Sequence, residues 1–241
     1  MATSRAALLI GLNYGGTAPE AELKGSFRDV EALRSVLVAA RRFDASQITV
    51  LTDADDAGRE VLTERRLRRE LLVLARRTHS ERMDAVYVHF SGHGQQVPDE
   101  NTDENDGLDE CLLCRDFQTG GMITDDWLSR WLTHVRPGTR VLFTVDACHS
   151  GSCLDIIKAG RRVVYMSGCM DKQTAAEANG GVFTTALVEV LATRKGAWDD
   201  LRGTYADVAA LVVGRFGLPQ APVLLTSAPY DADDDAILGP I

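Results

Sequence analysis

The chain has 241 residues, of which 45% are hydrophobic and 25% are charged, and its net charge is −9. This is the composition of a globular protein that is long enough to bury a full core. The acidic balance argues against nonspecific binding to nucleic acid or to an anionic membrane, and no segment reaches the roughly 20 apolar residues of a bilayer-crossing helix. The five cysteines lack the spacing of a disulfide framework, so we expect a reducing, cytoplasmic location.

Apolar runs alternate with amphipathic segments along the first third of the chain. Residues 6–12 predict a first core strand rather than a signal peptide, because no small-residue cleavage site follows them. A helix is predicted over residues 23–40 from the helical spacing of Phe27, Val30, Leu33, Leu37 and Ala40. A strand over residues 48–52 and a helix over residues 63–78, with an arginine-rich solvated face, come next.

The alternation then continues around one long polar segment. Residues 85–91 predict a third strand that runs into Gly92-His93-Gly94, whereas residues 95–109 are polar and acidic without periodicity, which indicates a long loop. The later predicted elements are an extended piece at residues 111–114, a helix at 124–135 capped by Thr124, a buried strand from 139, a strand at 162–167, helices at 183–192 and 205–216, and a strand at 223–227. This order predicts an α/β sandwich around a mostly parallel sheet.

Two strand ends carry chemically useful side chains. One strand ends in His89-Phe90-Ser91-Gly92-His93-Gly94, and the other ends in Asp146-Ala147-Cys148-His149-Ser150-Gly151. Alternation in an extended chain places Ser91 with His93, and Asp146 with Cys148, on the same side. If the two strands are neighbours, an imidazole meets a thiol, and imidazole is the usual base that generates a nucleophilic thiolate. A lone cysteine after a strand would more often be inert packing.

Four segments carry a family resemblance: HFSGHG and DACHSG, LKGSFRDVEAL before them, and DENDGLDE between them. They resemble the corresponding segments of the metacaspases, the arginine- and lysine-specific relatives of caspases. The resemblance runs from about residue 5 to residue 230. It implies a caspase-like α/β/α sandwich without an organic cofactor, and a monomer. It also implies a large catalytic part over residues 1–157 and a small part over residues 158–241, packed as one continuous domain.

The resemblance implies a role for each motif residue. His93 would be the general base and Cys148 the nucleophile, and the N–H groups of Gly94 and Cys148 would form the oxyanion hole. The pocket for the substrate side chain would contain Asp29, Ser91 and Asp146, with Ser26 at its rim where the family usually has cysteine. Two carboxylates near the nucleophile favour a guanidinium or an ammonium group, so we expect peptide substrates with arginine or lysine before the cut. Asp29 alone would by default be a surface carboxylate of a helix.

Many metacaspases require calcium, and the matching positions are Asp109, Asp125, Asp126 and Asp155. Carboxylate oxygens without soft ligands suit Ca²⁺, although Asp125 and Asp126 are equally explained by the preference for acids at a helix N-terminus. Cys111-Leu-Leu-Cys114 has zinc-like spacing but no second pair at a suitable distance.

Family members that require cleavage carry a long linker between the two parts, whereas the joint is short here, so the resemblance implies activity without cleavage. Lys158, Arg161 and Arg162 are nevertheless candidate self-cleavage sites. Two alternatives stay open beside the calcium-stimulated endopeptidase. One is a caspase-fold scaffold that binds partners without hydrolysis, and the other is a Cys-His protease of the same fold with a different pocket preference.

Overall fold

A computed structural model of the chain describes residues 4–54, 61–98, 107–147, 161–168, 181–216 and 222–227. In these ranges the strands are β1 (Arg5–Gly11), β2 (Ile48–Thr52), β3 (Ala85–Ser91), β4 (Gly94–Pro98), β5 (Leu108–Leu113), β6 (Met122–Thr124), β7 (Arg140–Asp146), β8 (Arg162–Ser167) and β9 (Val223–Thr226). The α-helices are α1 (Ser26–Ala39), α2 (Glu64–Ser80), α3 (Asp125–Thr133), α4 (Val182–Thr193) and α5 (Leu201–Phe216). None of the helices in these ranges combines the length and apolarity that crossing a membrane needs.

Six strands form the central sheet in the order β2-β1-β3-β7-β8-β9. All neighbouring pairs are parallel except the last, in which β9 runs antiparallel to β8. All residues of β1 and β3 are buried, because helices cover both faces of the sheet; the strands therefore read as nearly continuous apolar runs in the sequence. The predicted mostly parallel sheet is confirmed.

Two separate apolar clusters hold the helices against the two faces. On one face α1 and α4 pack against the sheet through residues such as Leu33, Leu37, Phe183 and Leu187. On the other face α2 and α3 contribute residues such as Leu67, Leu71, Trp131 and Leu132. The three-layered α/β/α sandwich predicted from the sequence is therefore present. Helix α1 begins at Ser26 rather than at residue 23, and Phe27 and Ala40 at its two ends are only partly buried.

A second, smaller sheet was missed in the sequence. Strands β4, β5 and β6 form an antiparallel three-stranded sheet, so the prediction of one loop over residues 95–109 is wrong at both of its ends. Strand β4 has no alternation of apolar and polar residues, and each of its residues is at least partly exposed. Its strand conformation comes from pairing with the buried strand β5, which single-strand periodicity does not reveal.

The two proposed parts of the chain share the central sheet. Strand β7 precedes the proposed boundary at residue 157 and β8 follows it, yet the two pair in parallel from Arg140 and Arg162 onwards. Arg161 also donates to the carbonyl oxygens of Thr133 (3.0 Å) and Val135 (3.3 Å) at the end of α3. The boundary itself lies outside the described residues.

Candidate active site

The site forms where three neighbouring strands end. Strand β3 lies between β1 and β7, and Ser91 pairs with Gly11 on one side and with Asp146 on the other. The contacts continue past the strands, because Gly92 N–H donates to Asp146 O (3.2 Å) and Leu12 N–H donates to Ser91 O (3.0 Å). The expectation that the two motif-bearing strands are neighbours is confirmed. Cys148 and Asp155 fall outside the described residues.

The imidazole of His93 is oriented by the loop that follows β1. Its Nε2 lies 2.8 Å from the carbonyl oxygen of Ala21. A carbonyl oxygen only accepts, so in the neutral ring Nε2 carries the proton and Nδ1 carries the lone pair. The arrangement leaves Nδ1 as the nitrogen that can take a proton from a thiol, which is what a general base needs.

Tyr14 contacts His93 in two ways. The two rings have their centroids 4.8 Å apart, and the Tyr14 hydroxyl accepts from His93 N–H (2.9 Å). Tyr14 is fully buried at a positive φ of 56°, and its backbone N–H, like that of Asn13, donates to the carboxylate of Asp53. Burial is the main cause that raises the pKa of Asp53, although these two N–H groups and Arg115 act to lower it.

The two glycines beside His93 have different surroundings. A Cβ on Gly92 would lie 2.8 Å from the Tyr14 hydroxyl, so only glycine leaves that oxygen its place. Gly94 pairs with Leu112, and Leu113 N–H donates to His93 O (3.0 Å), which makes Gly94 and Leu112 a non-hydrogen-bonded pair of the antiparallel ladder. The Gly94 N–H therefore points away from β5, as a donor to an oxyanion must.

Asp29 is buried rather than at the surface, with only 3% of its area exposed. The side chain of Ser91 donates to Oδ2 of Asp29 (2.6 Å), and the backbone N–H of Gly181 donates to the same carboxylate at 3.0 and 3.2 Å. The first turn of α1 thus carries a carboxylate that is tied both to the end of β3 and to the start of α4. The default interpretation of Asp29 as a surface residue is wrong.

Asp146 lies on the other side of the same glycine. It is 5% exposed, and its Oδ2 accepts from the backbone N–H of Thr184 (2.7 Å). A Cβ on Gly181 would lie 2.0 Å from that oxygen, so the Gly181 backbone is in contact with both carboxylates. Gly181 is the N-cap of α4 and Thr184 lies in its first turn, where the helix dipole stabilises negative charge. The structure thus brings together three of the four predicted pocket residues: Asp29, Ser91 and Asp146.

Ser26, the fourth, begins α1 and is 3% exposed. Its backbone N–H donates to the side-chain oxygen of Asn13 (3.1 Å), and its carbonyl oxygen would lie 2.6 Å from a Cβ on Gly11. Ser26 is thus fixed against the loop after β1, three residues before Asp29.

Three of the four predicted calcium ligands are described. Asp109 lies on β5 and Asp125 begins α3, and they are 7% and 2% exposed. Asp126 follows, and its N–H donates to the Asp125 carboxylate (2.9 Å). Carboxylate oxygens are ligands that suit a hard cation such as Ca²⁺. Within the described residues, however, no group of three or more histidine, cysteine or acidic side chains could hold a metal ion.

The cysteines Cys111 and Cys114 are buried and free. Burial is the main cause that raises the pKa of Cys111 to about 12, and the nearby charges of Asp125, Glu110 and Asp109 add to it. Burial likewise raises the pKa of Cys114. Both thiols are therefore protonated at neutral pH and chemically quiet.

Sequence reasoning did not find Tyr14, the Ala21 carbonyl, or the start of α4 as parts of the site. Tyr14 could have been found from its position just after β1. That strand ends beside the two strands that carry the motifs, so residues that follow it lie near the same edge of the sheet. Ala21, Gly181 and Thr184 act through backbone groups, which leave no residue-type signature.

Comparison with known proteins identifies the family of the chain. The model of the metacaspase, peptidase C14 domain matches residues 5–157. Metacaspase-1 of Plasmodium falciparum is 33% identical over an alignment of length 211 that covers 77% of this chain and 34% of that protein. Metacaspase-3 of Arabidopsis thaliana is 38% identical over 153 residues, which are 62% of this chain and 41% of that protein.

Solved structures share the fold at low sequence identity. A protein of Geobacter sulfurreducens has a TM-score of 0.70 at 24% identity, with 97% of each chain covered. Caspase-1 from Spodoptera frugiperda has a TM-score of 0.68 at 16% identity, with 92% of this chain and 86% of that chain covered.

The fold is therefore that of the caspase-like proteins. The chain belongs to the metacaspase family, the cysteine-type peptidases with the peptidase C14 domain. It spans about a third of the length of the Plasmodium relative.

Proposed function

We propose that this chain is a cysteine endopeptidase that cuts peptides after arginine or lysine. The observation that carries the proposal is the buried carboxylate pair of Asp29 on α1 and Asp146 at the end of β7, which both adjoin Ser91. Membership of a peptidase family supports the chemistry, and the charge of the pair supports the side-chain preference.

The chemistry divides between His93 and Cys148. The thiol of Cys148 transfers its proton to Nδ1 of His93, and the thiolate attacks the carbonyl carbon of the peptide. The tetrahedral oxyanion accepts from the N–H groups of Gly94 and Cys148. Collapse expels the amine, which takes the proton from His93, and leaves a thioester. Water then loses a proton to His93, attacks the thioester and releases the carboxylic acid and the thiol.

The pocket is proposed to hold the positive side chain that precedes the cut. The N–H groups of Gly181 and Thr184 and the Ser91 hydroxyl stabilise the two carboxylates as anions before substrate binds. Preorganised anions need little rearrangement to bind a guanidinium or an ammonium group, and they repel an aspartate side chain. Ser26 at the start of α1 is proposed to adjust this preference from the rim.

Calcium is proposed as an activating ion held by Asp109, Asp125, Asp126 and Asp155. The positions of Asp109 on β5 and of Asp125 at the start of α3 support this, because carboxylate oxygens are the ligands that Ca²⁺ takes in proteins. We also propose that the protein acts as a monomer in a reducing, cytoplasmic setting, which the free thiols of Cys111 and Cys114 support.

Fluorogenic peptides ending in arginine, lysine, aspartate or asparagine test the proposal, each with and without calcium. We expect turnover of the arginine and lysine peptides, stimulation by calcium, and no turnover by Cys148→Ala or His93→Gln. Turnover of the aspartate peptide alone would overturn the pocket assignment. No turnover of any peptide would favour a non-hydrolytic scaffold.

The pocket has a matched control on the same helix. Asp29→Asn should lower kcat/KM for the arginine peptide by about a hundredfold, because removing one member of a buried charge pair costs about 2–5 kcal/mol. Glu31→Gln changes an exposed acid of α1 that pairs only loosely with Arg34 (3.9 Å), and it should leave turnover unchanged. Equal losses in the two variants would mean that Asp29 acts on the stability of α1 rather than on the substrate.

Activity without cleavage is proposed as well. Mass spectrometry of the protein during incubation with calcium should show peptide turnover by the intact chain. Arg162 lies within β8, so a cut after it would need that strand to leave the sheet, whereas Arg161 precedes the strand. Cleavage that always precedes turnover would refute this part of the proposal.

A further inference from the structure

A side-chain hydroxyl group, that of Tyr14, is inserted between the two chains of the β4–β5 ladder at His93, the residue before Gly94. Gly94 pairs with Leu112, so the next pair in register is His93 with Leu113. In a regular antiparallel ladder this pair would exchange two direct hydrogen bonds. Only one of them is direct here, from Leu113 N–H to His93 O (3.0 Å).

The Tyr14 hydroxyl bridges the second bond. It accepts from His93 N–H (2.9 Å) and donates to Leu113 O (2.8 Å). Leu113 O can only accept, so the hydroxyl proton is committed to it, and the oxygen lone pair is left for His93 N–H. The Tyr14 hydroxyl therefore makes one hydrogen bond as a donor and one as an acceptor, and these roles cannot be exchanged. Tyr14 is 0% exposed.

Other contacts hold Tyr14 itself in place. Its positive φ of 56° is costly for a bulky residue and persists only where the surroundings determine it. The Asp53 carboxylate supplies that constraint by accepting from Tyr14 N–H (2.7 Å) and Asn13 N–H (2.8 Å). Glycine at position 92 leaves room for the hydroxyl oxygen, since a Cβ there would lie 2.8 Å from it.

We propose that Tyr14 is a positioning residue for His93, whose inserted hydroxyl sets the direction of the His93 imidazole and of the Gly94 N–H. The inference rests on the proposed catalytic role of His93. With His93 N–H held by Tyr14 and His93 O held by Leu113, the two peptide groups on either side of the His93 Cα are both fixed, and the second of them carries the Gly94 N–H. The Tyr14 ring, 4.8 Å from the imidazole, supports the side chain of the same residue.

Tyr14→Phe removes the hydroxyl and keeps the ring. His93 N–H and Leu113 O then either lose their partner or close on each other directly, and both responses move His93 relative to the substrate. A misplacement of about 1 Å can cost about a hundredfold in rate, so we expect kcat to fall by about ten- to a hundredfold with KM changed less than about threefold.

Tyr87→Phe is the matched control. Tyr87 is also fully buried, and its hydroxyl lies 2.9 Å from Thr144 Oγ1, but it belongs to the cluster on the opposite face of the sheet. Both variants lose one buried, hydrogen-bonded phenol hydroxyl, so both should unfold at similar denaturant concentrations. Only Tyr14→Phe should lose kcat.

Histidine-selective ¹⁵N NMR of the full chain provides a measurement that needs no activity. The His93 signals, assigned with His93→Gln, should shift in Tyr14→Phe and stay in place in Tyr87→Phe. Unchanged His93 signals, or a kcat no lower than in Tyr87→Phe, would overturn the proposal. If the wild-type chain hydrolyses no peptide, the proposed function fails, and the NMR comparison alone still decides whether Tyr14 positions His93.

Discussion

His89 should make the protein lose stability in mild acid. Its side chain is 0% exposed on β3, where Nδ1 lies 2.8 Å from Thr144 Oγ1. Within the described part of the chain, Nε2 has no hydrogen-bond partner. Burial lowers the pKa of His89 from 6.5 to about 3, because the site cannot solvate an imidazolium ion. The folded protein therefore keeps His89 neutral at a pH where the unfolded chain protonates it.

The sign and size follow from proton linkage. Between pH 6.5 and about 3 the unfolded state binds one proton more than the folded state, so the stability contribution is full above pH 6.5 and declines as the pH falls. The slope is about 1.4 kcal/mol per pH unit for one group. Lowering the pH from 6.5 to 5 should thus remove about 2 kcal/mol of unfolding free energy through His89 alone.

Urea unfolding of the wild type and of His89→Asn, at several values between pH 5 and pH 8, measures this effect. Asparagine keeps a polar group near the position of Nδ1 but does not titrate, so the difference between the two stabilities should shrink by about 2 kcal/mol from pH 8 to pH 5. Carboxylates such as Asp29 and Asp146 are present in both proteins and cancel. Parallel curves for the wild type and His89→Asn would refute the reasoning.

Two further predictions concern buried groups near the site. Iodoacetamide at pH 8 should alkylate Cys111 and Cys114 slowly in the folded protein and rapidly in urea, because burial raises the pKa of both thiols; fast labelling of the folded chain would contradict this. Gly181→Ala places a Cβ 2.0 Å from the Asp146 carboxylate, so it should cost about 1–3 kcal/mol of stability and most of the turnover of arginine peptides. The control is Gly214→Ala, which meets nothing within 4 Å and should be neutral or slightly stabilising, and equal effects of the two would show that the contact with Asp146 is unimportant.

The sequence was sufficient for the central sheet because its strands carry their own signal. Strands β1, β3 and β7 are continuous apolar runs that need no partner to be recognised, and their alternation with amphipathic helices determines the parallel arrangement. The adjacency of Ser91 and Asp146 followed from the same pattern once β3 and β7 were assumed to be neighbours. Strand β4 was missed because its conformation depends on pairing with β5 and not on its own residues.

The contacts that orient the site were beyond sequence reasoning for a different reason. Asp53 lies forty residues from Asn13, and it acts on backbone N–H groups that every residue possesses. The positive φ of Tyr14 contradicts the ordinary preference of a tyrosine, so a local rule predicts against it. Local preference is overridden where a site needs an unusual geometry, and such positions are the hardest to read from residue types alone.

The carboxylate pair also explains how the two parts of the chain depend on each other. Asp29, Ser91 and Asp146 all precede residue 157, whereas the N–H groups of Gly181 and Thr184 that accompany them follow it. Two neighbouring buried anions repel each other, and the start of α4 offsets that repulsion with backbone donors and the helix dipole. Without the second part, both carboxylates would lose these N–H donors and α4 would no longer cover them. The proposed pocket is therefore complete only when the sheet continues from β7 into β8 and α4 begins beside the strand ends.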